Sequence, residues 1–399
     1  MSPRKDSYTY IIEGADLLLP DKTMPRATLV VKDGKIEGIF NQRASESLKD
    51  LLNREPQLSA APVLHLSDAY LAPALVETHI HGCGEWGFER ISGAAELEGA
   101  AKFLEEKGVG SFVPTILWDE PALTRLASAI LETDLPRTAL PGIYIEGPFV
   151  SMAKRGGIQP SNILAPNTEL ARHIIEASRG LLVVCTVAPE LMGAESLYAI
   201  FENAGVLVAL GHSDATLDSI KLPGHPYTIT HLFNAMTGVD HKAGGLANLA
   251  LTGSPNFVEL NGDGIHVNAS SLSLAARVIS QDSLLLISDA VVGAGKPYGE
   301  YPYYEHRVVS SARGVRYADT DVLMGSNRIG IDIVRNFVVQ TGVPLWQAVR
   351  AMSLIPRRAL GQDAEFGSIE VGKVADIFIW DRSLEVTARP ESLLAGRKD

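Results

Sequence analysis

Between Leu75 and Ser288 short apolar runs of strand length recur at Leu75–His79, Ser111–Ile116, Gly142–Glu146, Leu182–Val187, Leu207–Gly211, Tyr227–His231, Phe257–Asn261 and Leu284–Ser288. Most are separated by stretches with helical periodicity, at Ala94–Lys107, Pro121–Glu132, Thr168–Arg179, Glu195–Asn203 and Ser270–Ser280, and a last helix is predicted at Arg328–Gln340. Eight strands interleaved with helices predict an α/β fold, the (β/α)₈ TIM barrel. The two ends read differently. Tyr10–Ile12, Ala27–Val31 and Lys35–Phe40 are short β-type segments, with Asp33-Gly34 as a hairpin turn, and Gly367–Trp380 has the same character. Both ends together predict one small β domain, residues 1–70 plus 366–399, flanking a barrel over 71–365.

Composition narrows the class without changing the fold. The 399 residues are 46% hydrophobic and 21% charged, an ordinary globular balance with enough apolar material for a substantial core. A net charge of −12 argues against nucleic acid or anionic membrane as a partner, since both need a basic face. Two cysteines, Cys83 and Cys185, are too few for a disulfide scaffold and fit a reducing cytoplasm. The start, Met1 to Ser7, is polar with no apolar stretch behind it, and Leu181–Cys185 is strand-sized. A soluble cytoplasmic protein is expected.

The chemistry gathers at predicted strand ends. In Leu75-Val-Glu-Thr-His-Ile-His-Gly-Cys83 two histidines stand one residue apart, and a period of two points both rings to one side. Glu146 follows the third strand, His212 the fifth, His231 the sixth, His266 the seventh and Asp289 the eighth. In a barrel of this kind catalytic groups come from the carboxyl ends of the strands, however far apart in sequence. Five of the ten histidines then share one rim. Singly, each has a plain structural reading: Glu146 as a helix cap, His212 as a helix-start residue, His231 as a bonded core histidine, Asp289 as an N-cap. Together they read as a cation site. Glu146, His212 and His231 make a three-ligand set of the catalytic zinc type, and His79 with His81 supply an adjacent second position. A coordinated divalent ion lowers the pKa of water to roughly 7. Asp289 is the natural proton carrier from that water to a leaving amine, and His266 a substrate contact or electrophile. His65, His173, His225 and His306 fall outside the pattern, and Cys185 reads as core.

At these residues the chain resembles the amidohydrolase superfamily, and most closely the N-acetylglucosamine-6-phosphate deacetylase family. The motifs are Val76-Glu-Thr-His-Ile-His-Gly82, Ile145-Glu-Gly-Pro-Phe149 with Lys154-Arg-Gly156, Val187-Ala-Pro-Glu190, and Gly211-His-Ser-Asp-Ala-Thr216. They continue with Thr230-His-Leu-Phe-Asn-Ala-Met236, Asp263-Gly-Ile-His-Val267, Ser288-Asp-Ala290 and Gly367-Ser-Ile-Glu-Val-Gly-Lys-Val-Ala-Asp376. The resemblance implies a TIM barrel with a small β-sandwich domain built by the N- and C-terminal segments, a homodimer, and hydrolysis of a sugar N-acetyl group. It implies Glu146, His212 and His231 on the principal metal, His79 and His81 on a second, and Asp289 as acid/base. His266 would contact the sugar, and Asn234 with Ala235 the phosphate end; Gly147 and Gln159 are further substrate contacts. The cofactor is a divalent metal, Zn²⁺ or else Fe²⁺, Mn²⁺ or Co²⁺, as one or two ions.

Two positions depart from the family pattern. Where the family carries a carbonyl-polarising histidine, this chain has Ile158, which donates no hydrogen bond. The second metal and the neighbouring Gln159 are the candidates to replace it. Where the family places a phosphate-binding arginine from the neighbouring subunit, this chain has Lys242, a point charge without the bidentate fork. The expected reaction is conversion of N-acetylglucosamine 6-phosphate to glucosamine 6-phosphate and acetate. The alternatives are an amidohydrolase of another amide (an unphosphorylated N-acyl sugar, N-acyl amino acid or cyclic amide) and an inactive metal-binding regulatory relative.

Overall fold

The structure, a computed structural model, describes residues 8–41, 45–253 and 255–395. The polar start at residues 1–7 and the last four residues of the expected 366–399 segment lie outside the described residues. Eight parallel strands form the (β/α)₈ barrel: β1 (Leu75–Ile80), β2 (Val109–Leu117), β3 (Ile143–Phe149), β4 (Leu182–Val187), β5 (Leu207–Leu210), β6 (Tyr227–Ile229), β7 (Phe257–Asn261) and β8 (Leu284–Ile287). Each pairs with the next in sequence. The ring closes through backbone hydrogen bonds at the carboxyl end, Asp289 N–H to the His79 carbonyl (3.0 Å) and His81 N–H to the Ala290 carbonyl (2.7 Å).

Both faces of these strands are covered, so their sequences are near-continuous apolar runs. Alternation still sorts the side chains. Val113, Tyr144, Val184 and Ala209 pack together in one cluster, while Phe112, Ile143, Ile145, Cys185 and Val208 join the large core shared with the helices. The Tyr144 hydroxyl reaches Thr186 Oγ1 (2.8 Å) and Thr230 Oγ1 (3.2 Å) across the barrel. Stepping by two from this set toward the carboxyl end reaches Glu146 on β3, and the same parity on β1 gives Glu77, His79 and His81.

Helices at Ala94–Glu105, Glu120–Glu132, Thr168–Ala177, Ala194–Asn203, Leu246–Thr252, Ala269–Val278 and Ile331–Thr341 surround the strands. Several start where the sequence supplies a cap: Asp119 accepts from Ala122 N–H, Asn167 from Glu169 and Leu170, Asn268 from Ser271. Between β5 and β6 only a 3₁₀ turn forms, at Leu217–Ser219. One element was not anticipated from the pattern: a four-stranded antiparallel sheet between β8 and the Ile331 helix, with strands Gly299–Tyr303, His306–Ser311, Gly314–Tyr317 and Leu323–Gly325.

The chain ends meet in one seven-stranded sheet, which includes Tyr10–Leu18, Thr23–Lys32, Lys35–Phe40, Ala69–Pro73 and Ile377–Asp381. Its alternation explains how it docks: Ile377 and Ile379 pack among Ile12, Leu29 and Leu71, whereas Phe378 and Trp380 belong to the barrel's core. Burial on the order of 2 kcal/mol for each such side chain holds the sheet to the barrel.

Candidate metal centre and active site

His79, His81, Glu146, His212, His231 and Asp289 are all buried and converge at the carboxyl end of the barrel. Their local backbone is unusual. His212, His231 and Asp289 have positive φ (46°, 27° and 51°), a region that non-glycine residues enter at a cost. Each follows closely on a strand end, where the chain turns out of the ladder. Gly211 permits the approach of two of these ends, since a Cβ there would lie 2.6 Å from the Thr230 Cβ.

The first cluster is Glu146, His212 and His231. Glu146 Oε1 lies 3.0 Å from His212 Nε2 and 3.0 Å from His231 Nε2, and the two Nε2 atoms are 3.0 Å apart. His79, His81 and Asp289 form the second, with Asp289 Oδ1 at 3.8 Å from His79 Nε2 and 3.6 Å from His81 Nε2. Glu146 joins them, its Oε1 3.5 Å from His79 Nε2 and its Oε2 3.3 Å from His81 Nε2. His79 Nε2 is closed off from solvent with no hydrogen-bond partner, yet faces two carboxylates. Such a nitrogen fits a cation between it and them, so the donor set suits a divalent metal.

Supporting groups hold the rings. Glu259 on β7 accepts from His79 Nδ1 (2.9 Å) and from the His231 backbone N–H (3.3 Å), and the Lys154 carbonyl accepts from His212 Nδ1 (2.9 Å). A carboxylate or carbonyl behind a ligand imidazole fixes its tautomer and raises its basicity. Burial disfavours the charged form of His79, but the charge and hydrogen bond of Glu259, followed by Asp289 and Glu146, outweigh it and raise its pKa to about 10. Burial likewise pushes the Glu146 carboxyl up, and the charges and hydrogen bonds of the surrounding histidines hold it well below the usual range. The cup thus favours positive charge among its carboxylates, which a metal ion supplies in place of protons.

His266 stands beside the cup, Nε2 4.0 Å from Asp289 Oδ2, its Nδ1 bonded to Asp263 (2.8 Å). Its pKa is raised: burial lowers it, and the hydrogen bond and charge of Asp263 more than compensate. A cavity of about 190 Å³ opens over these groups, lined also by Leu117, Ile158, Asn234, Ala235 and Tyr303. Gly147, Gln159 and Lys242 are not in that lining. Gly147 sits behind Glu146 at a cis peptide to Pro148, Gln159 is half-buried, and Lys242 lies exposed on a loop where its N–H bonds to Asp240. Glu259, Asp263 and Tyr303 were not singled out from the sequence. For Glu259 a signal existed, an acid at the interior parity of a strand with apolar neighbours on both sides; for Tyr303 there was none.

A TIM barrel that gathers imidazoles and carboxylates at the carboxyl ends of its strands has the constitution of a metal-dependent hydrolase. The Amidohydrolase family model matches residues 70–397, and the chain belongs to that family. It is 32% identical over 326 residues to the N-acetylgalactosamine-6-phosphate deacetylase of Escherichia coli O157:H7, covering 79% of this chain and 85% of that one. It is 32% identical over 336 residues to the N-acetylglucosamine-6-phosphate deacetylase of Rattus norvegicus, covering 80% and 81%. Among solved structures, a variant N-acetyl-D-glucosamine-6-phosphate deacetylase from Mycobacterium smegmatis in complex with N-acetyl-D-glucosamine-6-phosphate superposes with a TM-score of 0.82 at 26% identity, over 96% of this chain and 97% of that one. Among the described residues no helix is long and apolar enough to cross a membrane.

Proposed function

We propose that this chain hydrolyses the N-acetyl group of an amino sugar phosphate, converting N-acetylglucosamine 6-phosphate to glucosamine 6-phosphate and acetate in the cytoplasm. The observation that carries this is the meeting of two ligand clusters around Glu146, with Asp289 on the open side. The similarity to sugar-phosphate deacetylases of both epimers supplies the substrate class.

Glu146, His212 and His231 would hold the principal ion and His79 with His81 a second, Zn²⁺ suiting the donors, with Fe²⁺, Mn²⁺ and Co²⁺ as alternatives. Bound there, the ion supplies Lewis acidity, which makes water acidic near neutral pH. Asp289 takes the proton of the attacking water and hands it to the sugar nitrogen as the carbon–nitrogen bond breaks. His266, fixed by Asp263 and standing beside Asp289, contacts the sugar. Asn234 and Ala235 line the wall that receives the sugar and its phosphate end, while Gly147 and Gln159, next to the lining residues Glu146 and Ile158, would act on the substrate only through those neighbours. Lys242, exposed and outside the lining, serves the phosphate of a second copy in a homodimer.

The test is elemental analysis of purified protein alongside acetate release from N-acetylglucosamine 6-phosphate, its galactosamine epimer and N-acetylglucosamine. Release from either phosphorylated epimer supports the reading. Release only from unphosphorylated sugars or non-sugar amides rejects it.

A further inference from the structure

Hydrolysis of an amide moves negative charge onto the carbonyl oxygen, and a preorganised donor there is worth several kcal/mol. Most polar groups around the cavity are already committed. The Nε2 atoms of His81, His212 and His231 face Glu146, His212 Nδ1 is bonded to the Lys154 carbonyl, His231 Nδ1 is sealed from the cavity, and the Asn234 amide donates to the His231 and Leu232 carbonyls (3.1 and 3.3 Å). His266 spends Nδ1 on Asp263 and turns Nε2 toward Asp289. Leu117, Ile158, Leu323 and Met324 offer no donor. Tyr303 remains.

Tyr303 is 1% exposed, its ring held among Val291, Val292, Val308, Val315 and Tyr317. Among the described residues its hydroxyl makes no hydrogen bond, and it is not one of the polar atoms sealed from solvent without a partner. The hydroxyl therefore opens on the cavity that the residue lines. Its placement is anchored from below. The next residue, Tyr304, donates its N–H to the buried Glu89 carboxylate (3.4 Å), accepts at its carbonyl from Arg90 (3.1 Å), and accepts at its phenol oxygen from Leu117 N–H (3.1 Å). These three bonds tie the tip of the Gly299–Ser311 hairpin to the barrel rim.

We propose that Tyr303 is a further catalytic residue, its phenol O–H donating a hydrogen bond to the carbonyl oxygen of the scissile amide. The proposal rests on the deacetylase reading above. As the water oxygen bonds to the carbonyl carbon, the π pair moves onto the carbonyl oxygen, where the Tyr303 O–H meets it without losing its proton. Asp289 takes the water proton. On collapse the pair returns, the carbon–nitrogen bond breaks, and Asp289 passes that proton to the nitrogen, leaving acetic acid and amine; the second water proton then moves from the acid to the amine, giving acetate and the ammonium form of the sugar. Burial, first, and the neighbouring Tyr304, Glu89, Tyr317 and Glu146 keep the phenol well above its ordinary titration range, so it stays a donor. Ile158 lines the same cavity without a donor of its own.

Tyr303→Phe keeps the ring and removes only the donor. The expected result is a fall in kcat of roughly 10²–10³-fold, with KM within about twofold, metal content unchanged and the thermal midpoint unmoved. On an N-trifluoroacetyl analogue, whose carbonyl is already electron-poor, the loss should shrink to roughly tenfold. Unchanged kcat, an equal loss on both substrates, or a loss confined to KM would overturn the proposal. Acetate release by the unaltered protein reports on the substrate reading, and the ratio to Tyr303→Phe reports on this one. Should the unaltered protein release no acetate, calorimetric affinity for acetohydroxamate in the zinc-loaded proteins decides: about tenfold weaker binding by Tyr303→Phe supports the donor, and equal binding rejects it.

Discussion

Glu146, His212, His231, His79, His81 and Asp289 hang from the ends of barrel strands, whereas Ile158, Tyr303, Leu323 and Met324 are carried over them by a loop and an inserted sheet. The first group is positioned by a backbone ladder and the parity of side chains along it. The second is held by side-chain bonds such as those of Glu89 and Arg90 to Tyr304. Chemistry that tolerates little displacement sits on the ladder. The proposed carbonyl donor Tyr303 is the exception, carried by the part that insertions and loops can reshape.

Disturbing the two regions separately should give effects of very different size. The largest is expected from stripping the metal. Exhaustive chelation should reduce acetate release to background and addition of Zn²⁺, Mn²⁺ or Co²⁺ restore it; full activity in metal-free protein, verified by elemental analysis, would refute a metal role for the two clusters. Asp289→Asn comes next, with kcat lower by roughly 10²–10⁴-fold and metal content intact; turnover at the original rate would remove Asp289 from proton transfer. Glu259→Gln keeps the shape behind His79 and loses the charge. Metal affinity should weaken roughly 10–100-fold, read by competition with a chromophoric chelator, and unchanged affinity would deny Glu259 that role.

Lys242→Ala tests the periphery. Loss of one charge-assisted contact is worth about 1.5 kcal/mol, so KM for the sugar phosphate should rise roughly tenfold with kcat unchanged. No change in KM would place the phosphate elsewhere. The last effect leaves turnover aside and falls on stability: it concerns Glu89, whose carboxyl burial raises from its ordinary 4.5 to about 7. Between those values the folded state holds a proton that the unfolded state has released. Stability should therefore decline as pH rises from about 4.5 to about 7 and level off above, by on the order of 3 kcal/mol. Glu89→Gln should flatten that decline in the thermal midpoint of chelated protein, and parallel curves for the two proteins would contradict it.

The strands were legible because a barrel buries them on both faces, so each appears as an apolar run, and the rim residues followed from the rule that catalytic groups stand at carboxyl ends. His79 and His81 were readable from their period of two, and Glu146 from its place after Tyr144-Ile145. The Gly299–Gly325 sheet was not legible: it sits where a barrel predicts a plain connection, and its strands carry mixed patterns with exposed Glu300 and Arg307 beside buried Tyr303 and Val308. Nothing in Tyr303-Tyr304-Glu305 marks one phenol as facing a cavity and the next as bonded to Leu117. That distinction arises only when segments distant in sequence pack together. Lys242 was legible as a cation in the right motif, yet its distance from the lining depends on the loop fold, which composition does not encode.

The hydrogen bond from Asp289 N–H to the His79 carbonyl joins the first barrel strand to the end of the last. A ribosome must therefore deliver 289 of the 399 residues, almost three quarters of the chain, before Asp289 can meet the imidazoles beside it. Products that stop short of Asp289 would lack both that closure and the carboxylate of the second cluster.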